Sequence, residues 1–225
     1  MTQLIEGMTI SVAGRALCLL PERAVFIPGI RWLLVADTHW GKCQAFRDAG
    51  ASLPVGPLMS DLERLRSAAH RLSAERIVVL GDLVHGPSSL ARGIDDLVHE
   101  WRRTLDCGMG LVPGNHDRVI AGLRGKSMLE RWGIELMPGV CEVEGFMLTH
   151  APPTDCDHPT LCGHVHPAIR MPGRGESMKL PCFWLNAACN ALVLPAFSSL
   201  VDGVCVRAGT ADGRWVPVGS KVLAV

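Results

Sequence analysis

The chain has 225 residues, and its 22 Lys and Arg balance 22 Asp and Glu, so the formal charge is zero. A chain of this length can bury a core without disulfide staples, and the even charge excludes a broadly basic coat that holds nucleic acid by charge alone. No apolar run approaches the roughly 18 residues of a membrane span. The N-terminal segment lacks the basic-then-apolar pattern of a signal peptide, and nine Cys without paired spacing fit reduced thiols in a cytoplasm.

The first 30 residues alternate short apolar runs (Met8–Ala13, Ala16–Leu20, Ala24–Ile27) with turns at Gly14-Arg15, Pro21-Glu22 and Pro28-Gly29. They predict an antiparallel meander. Trp32–Ala36 is a continuous apolar run ending in Asp37, as suits a strand covered on both faces. Leu58, Leu62, Leu65, Ala69 and Leu72 recur at helical spacing and predict a helix from about Pro57 to Ser73. Ile77–Leu80 is the next buried strand, stopping at Gly81-Asp82, and a second amphipathic helix is expected over Leu90–Leu105. A short strand near Met109–Val112 runs into Pro113-Gly114-Asn115-His116. Phe146–Thr149 runs into His150, and Thr160–Cys162 into Gly163-His164. The tail from Cys182 to Val225 reads as strands with Gly-rich turns. No repeat or long polar linker divides the chain, so a single domain over residues 1–225 is expected.

Five apolar strands thus end in a metal-ligand residue type, often beside Gly. Ligands of open α/β sheets gather outside the carboxyl ends of strands, so these ends can build one site. Strands alternating with helices, framed by strand-rich termini, predict a layered α/β sandwich with two packed sheets. In order the donors are Asp37, His39, Asp82, Asn115, His150, His164 and His166. Two carboxylates, one amide and four imidazoles suit Mn, Fe, Co or Zn better than Ca²⁺ or an all-thiolate zinc site. Seven donors exceed the needs of one ion with an open position, and two ions sharing a carboxylate account for them. Residues i and i+2 of an extended segment point the same way, so Asp37 with His39, and His164 with His166, are each expected to grip one centre. A metal pair can clamp the attacking and departing oxygens of a phosphoryl displacement and activate a water. His116 is then the candidate proton donor to the leaving group, with Asp117 expected to hold its ring in the right tautomer.

Asp37-Thr38-His39, Gly81-Asp82, Gly114-Asn115-His116-Asp117, His150 and Gly163-His164-Val165-His166 resemble, in order, the five blocks of the calcineurin-like metallophosphoesterase superfamily, over about residues 32–170. The resemblance implies an αββα sandwich of two mixed sheets flanked by helices. It also implies a first metal held by Asp37, His39, Asp82 and His166, and a second by Asn115, His150 and His164, with Asp82 bridging. The two ions would be Mn foremost, with Fe, Zn or Co as alternatives. Flanking segments (Ala36–Lys42, Phe46–Gly50, Gly163–Ala168 and Leu194–Phe197) look like the ligase-associated DNA damage response endonucleases of the PdeM family. That likeness implies a DNA phosphodiesterase or endonuclease working beside an ATP-dependent DNA ligase, a helicase and an exonuclease. One departure is His85, where the superfamily pattern has Asp. It is a candidate partner to a metal ligand or a contact to substrate phosphate.

Arg118, Lys42 and Arg47 are candidate phosphate contacts. Arg170, Arg174 and Lys179, with Glu176 the only carboxylate among them, either line a path for a nucleic-acid backbone or form a solvated loop. Trp40 is expected in core or rim packing, with base stacking the alternative. Cys43, Cys156 and Cys162 are expected as buried free thiols, and His70, His99 and His158 as structural or exposed residues. The same ligand set serves a phosphomonoesterase or small-nucleotide phosphodiesterase, and the fold alone would also serve a non-catalytic scaffold in a repair assembly.

Overall fold

The structure, a computed structural model, describes residues 6–51, 56–155, 157–173, 177–207 and 209–225. Strands β1 (Met8–Val12), β2 (Arg15–Leu20), β3 (Ala24–Ile27) and β4 (Trp32–Val35) form the expected antiparallel meander. After helices α1 (Lys42–Asp48) and α2 (Gly56–Arg71), strand β5 (Arg76–Leu80) joins β4 in parallel. Helix α3 (Arg92–Arg102) returns the chain to β6 (Gly108–Val112), and α4 (Leu123–Trp132) to β7 (Glu135–Leu136), both parallel additions. The first sheet therefore runs β1 to β7 in sequence order.

The second half is built of strands: β8 (Val140–Val143), β9 (Phe146–Thr149), β10 (Thr160–Cys162), β11 (Pro167–Pro172), β12 (Ser177–Pro181), β13 (Phe183–Asn186), β14 (Ala191–Val193), β15 (Val204–Cys205), β16 (Gly213–Val218) and β17 (Lys221–Ala224). Seven of them form a second mixed sheet in the order β17-β16-β13-β14-β10-β9-β8. A small sheet, β12-β11-β15, stands beside it. All helices among the described residues fall between residues 42 and 132 and cover the first sheet, and the second sheet has no helical layer of its own.

Two cores explain the sequence pattern. On one face of the first sheet Leu33, Val35, Ile77, Val79 and Leu111 meet Leu58, Leu62 and Leu65 of α2 and the indoles of Trp101 and Trp132. On the other face Leu34, Val78, Leu80 and Val112 meet Phe146, Leu148, Leu161, Phe183 and Leu192 of the second sheet. Strands β4 and β5 are thus covered on both sides, which is why they read as unbroken apolar runs rather than alternating ones. Burying each such Leu contributes about 2 kcal/mol.

Trp40 belongs to the first core. It is almost fully buried and meets Trp101 and Trp132 edge-to-face at 5.6 and 5.8 Å, so it has no face for a base. The segment around Arg170 and Lys179 is the β11–β12 hairpin rather than a loop, and Arg174 and Glu176 lie outside the described residues.

Candidate metal centre

Beyond the last paired residues of β4 and β5 the parallel hydrogen bonding continues into the loops. The N–H of Asp37 donates to Gly81 O (3.1 Å), that of His39 to Asp82 O (2.8 Å) and that of Trp40 to Leu83 O (2.8 Å). The donor-bearing loops are therefore extensions of the most buried strands, and Asp37, His39 and Asp82 are themselves buried. Their backbones are strained. Asp37 (φ 55°), His39 (45°), Asp82 (51°), His164 (69°) and His166 (52°) all occupy the left-handed region without being Gly or Asn. Each such residue costs on the order of 1 kcal/mol or more, and the cost persists only where surrounding structure over-determines it.

Glycine before the ligand serves two purposes. Gly81 has φ 79°, and a Cβ there would fall inside the His150 ring. Gly114 and Gly163 need no unusual φ; they admit close approach, since a Cβ on Gly163 would sit 2.5 Å from Asp37 Oδ2 and one on Gly114 would meet the Asp82 carboxylate.

The donors converge in groups. Asp37, His39 and His166 present ligand atoms within 4.8 Å of one another, as do Asp82, His150 and His164. His166 and His164 thus belong to different groups. The expectation that residues 164 and 166 grip one centre fails, because both have left-handed φ and alternation holds only for extended backbone. Asp37 and His39 do stay together, across an equally unextended turn. Asn115 Oδ1 lies 3.0 Å from His150 Nε2 and joins the second group. Asp82 stands between the two: its Oδ2 is 3.5 Å from His150 Nε2 and 3.9 Å from His39 Nε2. Its Oδ1 accepts the His116 N–H at 2.8 Å.

The chemistry of this donor set fits cations. His150 Nδ1 lies 3.1 Å from Leu80 O, which can only accept, so the proton sits on Nδ1 and Nε2 offers a lone pair. Around that Nε2 stand Asn115 Oδ1 and His164 Nδ1, both at 3.0 Å, and the Asp82 carboxylate. In the other group Asp37 Oδ1 and His166 Nε2 are 3.2 Å apart, and neither makes a hydrogen bond among the described residues. Lone pairs converging at this spacing repel unless a cation lies between them. His39 has its pKa pushed down to about 2, first by burial and then by Lys42 and neighbouring imidazoles, which keeps the ring neutral as a ligand must be.

A third group, His39, His85 and His116, adjoins the first. His85 Nδ1 is 3.4 Å from His39 Nδ1, and its ring stacks on His116 at 5.2 Å and 15°. The His85 carbonyl accepts from His116 Nδ1 at 2.8 Å. This corrects the role expected of Asp117, whose oxygens accept the N–H groups of Val84 (3.1 Å) and Gly114 (2.8 Å) instead. Asp117 is buried, its pKa is raised to about 6 mainly by that burial, and it ties the loop after β5 to the loop after β6. The His116 ring is oriented by a backbone carbonyl, for which sequence carries no signal.

Of the candidate phosphate contacts, Lys42 is half-buried at the start of α1, and its charge bears on His39 and His85. Arg118 is exposed. Arg47 bonds Gln44 Oε1 (2.8 Å), Arg170 bonds Ser177 Oγ (3.2 Å), and Lys179 pairs with Asp202 (2.6 Å). Cys43 and Cys162 are buried free thiols, and Cys156 lies outside the described residues. His158 is exposed, while His70 and His99 cap the carbonyls of Thr104 and Arg131.

A brace behind the ligands is also absent from the sequence reading. Phe197 N–H donates to Ala36 O (2.8 Å) and Ser198 N–H to Asp37 O (3.3 Å), fixing the Asp37 turn from the second sheet. Their segment is held in turn by α2, where Arg64 pairs with Asp61 at 3.0 Å and lies 4.2 Å over the Phe197 ring.

No family model matches the chain, and no curated protein does. Among solved structures it is similar to the Pseudomonas putida nuclease MPE, at 30% identity and a TM-score of 0.79 over 94% of this chain and 96% of that one. With that likeness, the two mixed sheets and the five donor blocks at their strand ends, the chain belongs to the calcineurin-like metallophosphoesterase superfamily. Fainter likenesses reach YfcE, a phosphoesterase from E. coli (14% identity, 82% of this chain and 86% of that one, TM-score 0.40), and AQ665, a protein of unknown function from Aquifex aeolicus (18%, 60% and 78%, 0.41). No helix among the described residues is long and apolar enough to cross a membrane.

Proposed function

We propose that the protein is a metal-dependent phosphodiesterase that hydrolyses phosphodiester bonds in nucleic acid, DNA foremost, as an endonuclease. The observation that carries the reading is the meeting of seven metal-ligand side chains in two groups that share the Asp82 carboxylate. The nucleic-acid substrate is supported by the similarity to a nuclease over nearly the whole chain. A place in DNA repair beside a ligase, a helicase and an exonuclease is supported by the flanking-sequence resemblance alone.

Asp37, His39 and His166 would hold one divalent cation, Asn115, His150 and His164 a second, and Asp82 would bridge them, with Mn as the foremost metal. When bound, such a pair supplies charge to the oxygens of the phosphate in flight and lowers the pKa of water. The protein's own share is orientation and proton transfer. Leu80 O fixes the His150 tautomer. His85 O holds His116 Nδ1–H, so His116 Nε2 is the atom that carries the proton given to the departing oxygen. Lys42, beside His39 and His85, is placed to meet a phosphate oxygen, and Asp117 keeps His116 in place through the backbone.

The test uses protein stripped of metal and reloaded with Mn²⁺, assayed on bis- and mono-(p-nitrophenyl) phosphate and on single-stranded and nicked DNA. Diester and DNA cleavage, lost in Asp82→Asn and reduced about 10²–10⁴-fold in His116→Ala with metal content retained, is the expected result. Monoester turnover alone makes the protein a phosphatase. Silence on every substrate with metal bound makes it a scaffold.

A further inference from the structure

A groove of about 500 Å³ opens from one edge of the donor cluster, a volume within the ~300–1,000 Å³ of ligand pockets. Gly114, Asn115 and His150 form its inner wall, whereas His39, His85 and His116 take no part in it. Its sides are Pro113, Val140 of β8, Met147 of β9, Ala151 and Pro153, and Asp155 and His158 stand exposed at its mouth. Two features define what fits. Among the described residues no Lys or Arg lines it, and its one carboxylate is that of Asp155, so it does not track a phosphate chain. Its apolar walls with acceptors at the rim suit a flat, uncharged body carrying a few polar edges.

We infer that this groove is a nucleoside subsite for the ester group that remains on phosphorus after cleavage. The inference rests on the phosphodiesterase reading above and adds the side on which the substrate is held. A base between apolar side chains, with its edge or its sugar hydroxyl at Asp155 and His158, leaves its phosphate against Asn115 and His150. His116 lies outside the groove, beside His39 of the other donor group, so the leaving oxygen is met on that side. The nucleoside in the groove is therefore the one kept by the product, and a nucleoside monophosphate should occupy the same groove.

The experiment compares the p-nitrophenyl ester of thymidine 5′-monophosphate with methyl p-nitrophenyl phosphate, since both lose nitrophenolate and differ in what is retained. Val140→Trp fills the groove from a position that is 56% exposed, so folding is tolerant, and its melting temperature checks this. We expect the metal-loaded protein to favour the thymidine ester in kcat/KM, and Val140→Trp to lower that preference about tenfold or more. Thymidine 5′-monophosphate, titrated calorimetrically into the Mn²⁺-loaded protein, should bind and should bind more weakly to Val140→Trp. An unchanged ester ratio, or equal nucleotide binding by both proteins, overturns the subsite. If neither ester is turned over, the phosphodiesterase reading fails by itself, and the calorimetric comparison still decides the groove.

Discussion

The two sheets contribute to the donor cluster in different ways. The first supplies Asp37, His39, Asp82, Asn115 and His116 from the ends of β4, β5 and β6, strands sealed between helices and the second sheet. Its three earliest donors are at most 4% exposed. The second sheet supplies His150, His164 and His166 from β9 and β10, and His164 is exposed while the His166 side chain is 21% exposed. One half is a base whose first three donors are sealed by burial, and the other is a cover joined to it by the shared apolar core and, at the site, by cross-sheet hydrogen bonds. Among these are His164 N–H to Asp37 Oδ2 (2.9 Å) and His150 Nδ1 to Leu80 O. The site depends on this seam as much as on the donors themselves.

Gly81→Ala breaks the seam at its tightest point. The added methyl would occupy the space of the His150 ring, and φ 79° would be strained besides. Displacing His150 removes a donor from the second group, so we expect at least ~100-fold loss of Mn²⁺-dependent diester hydrolysis. The fold should lose about 1–3 kcal/mol, read as a shift in urea midpoint at constant slope. Full activity in that variant would mean that His150 is not needed where it stands.

Arg64→Ala tests the same seam from behind. Asp61 is buried, its pKa raised by that burial against the pull of Arg64, and its Oδ2 accepts Ser199 N–H at 3.0 Å. Without the guanidinium it keeps a buried charge next to the segment that braces Asp37. We expect a loss of about 3 kcal/mol in urea denaturation, with the diester rate falling less than in Gly81→Ala. The conservative Arg64→Lys should recover part of the charge and little of the stacking on Phe197.

How far the sequence anticipates this division follows from burial. Trp32–Val35 and Arg76–Leu80 are legible because strands covered on both faces spell themselves as apolar runs, and α2 because Leu58, Leu62 and Leu65 mark one buried stripe. Helix α1 (KCQAFRD) buries only Cys43, so it carries no stripe to read. Helix α4 hides behind Gly125, a poor helix residue that is there because a Cβ would strike the Ile120 backbone. At the site the residue types are legible and their partners are not. The separation of His164 from His166 follows from left-handed backbone, and the hold on His116 from a carbonyl, neither of which residue spacing encodes.

Metal removal sharpens the comparison between base and cover. Cations held across the seam as proposed would bind the folded state only, so Mn²⁺ at 100 times its dissociation constant would add about 2.7 kcal/mol. For a chain of this size that is on the order of 5–10 °C in melting temperature. Asp82→Asn, which alters the carboxylate shared by both groups, should lose most of that increment, whereas Arg118→Ala should keep it. An equal melting temperature with chelator and with Mn²⁺ would leave the converging lone pairs without their explanation.

The smallest effect separates burial from chemistry within the second half. Cys182 is fully buried between Ile169 and Val216, and burial pushes its thiol up to about 12, so it carries almost no thiolate at pH 8. Cys205, on the short strand β15 of the neighbouring small sheet, is exposed. Alkylation proceeds through the thiolate and needs access. With iodoacetamide at pH 8, Cys205 should label within minutes while Cys182 stays protected until the protein unfolds, as read by peptide mass spectrometry. Cys182 has no exposed surface, so access rather than pH limits its labelling in the folded protein. If Cys182 labels at the rate of Cys205 in the folded protein, this part of the cover opens on the labelling timescale. The contrast between base and cover would then be one of dynamics as well as of burial.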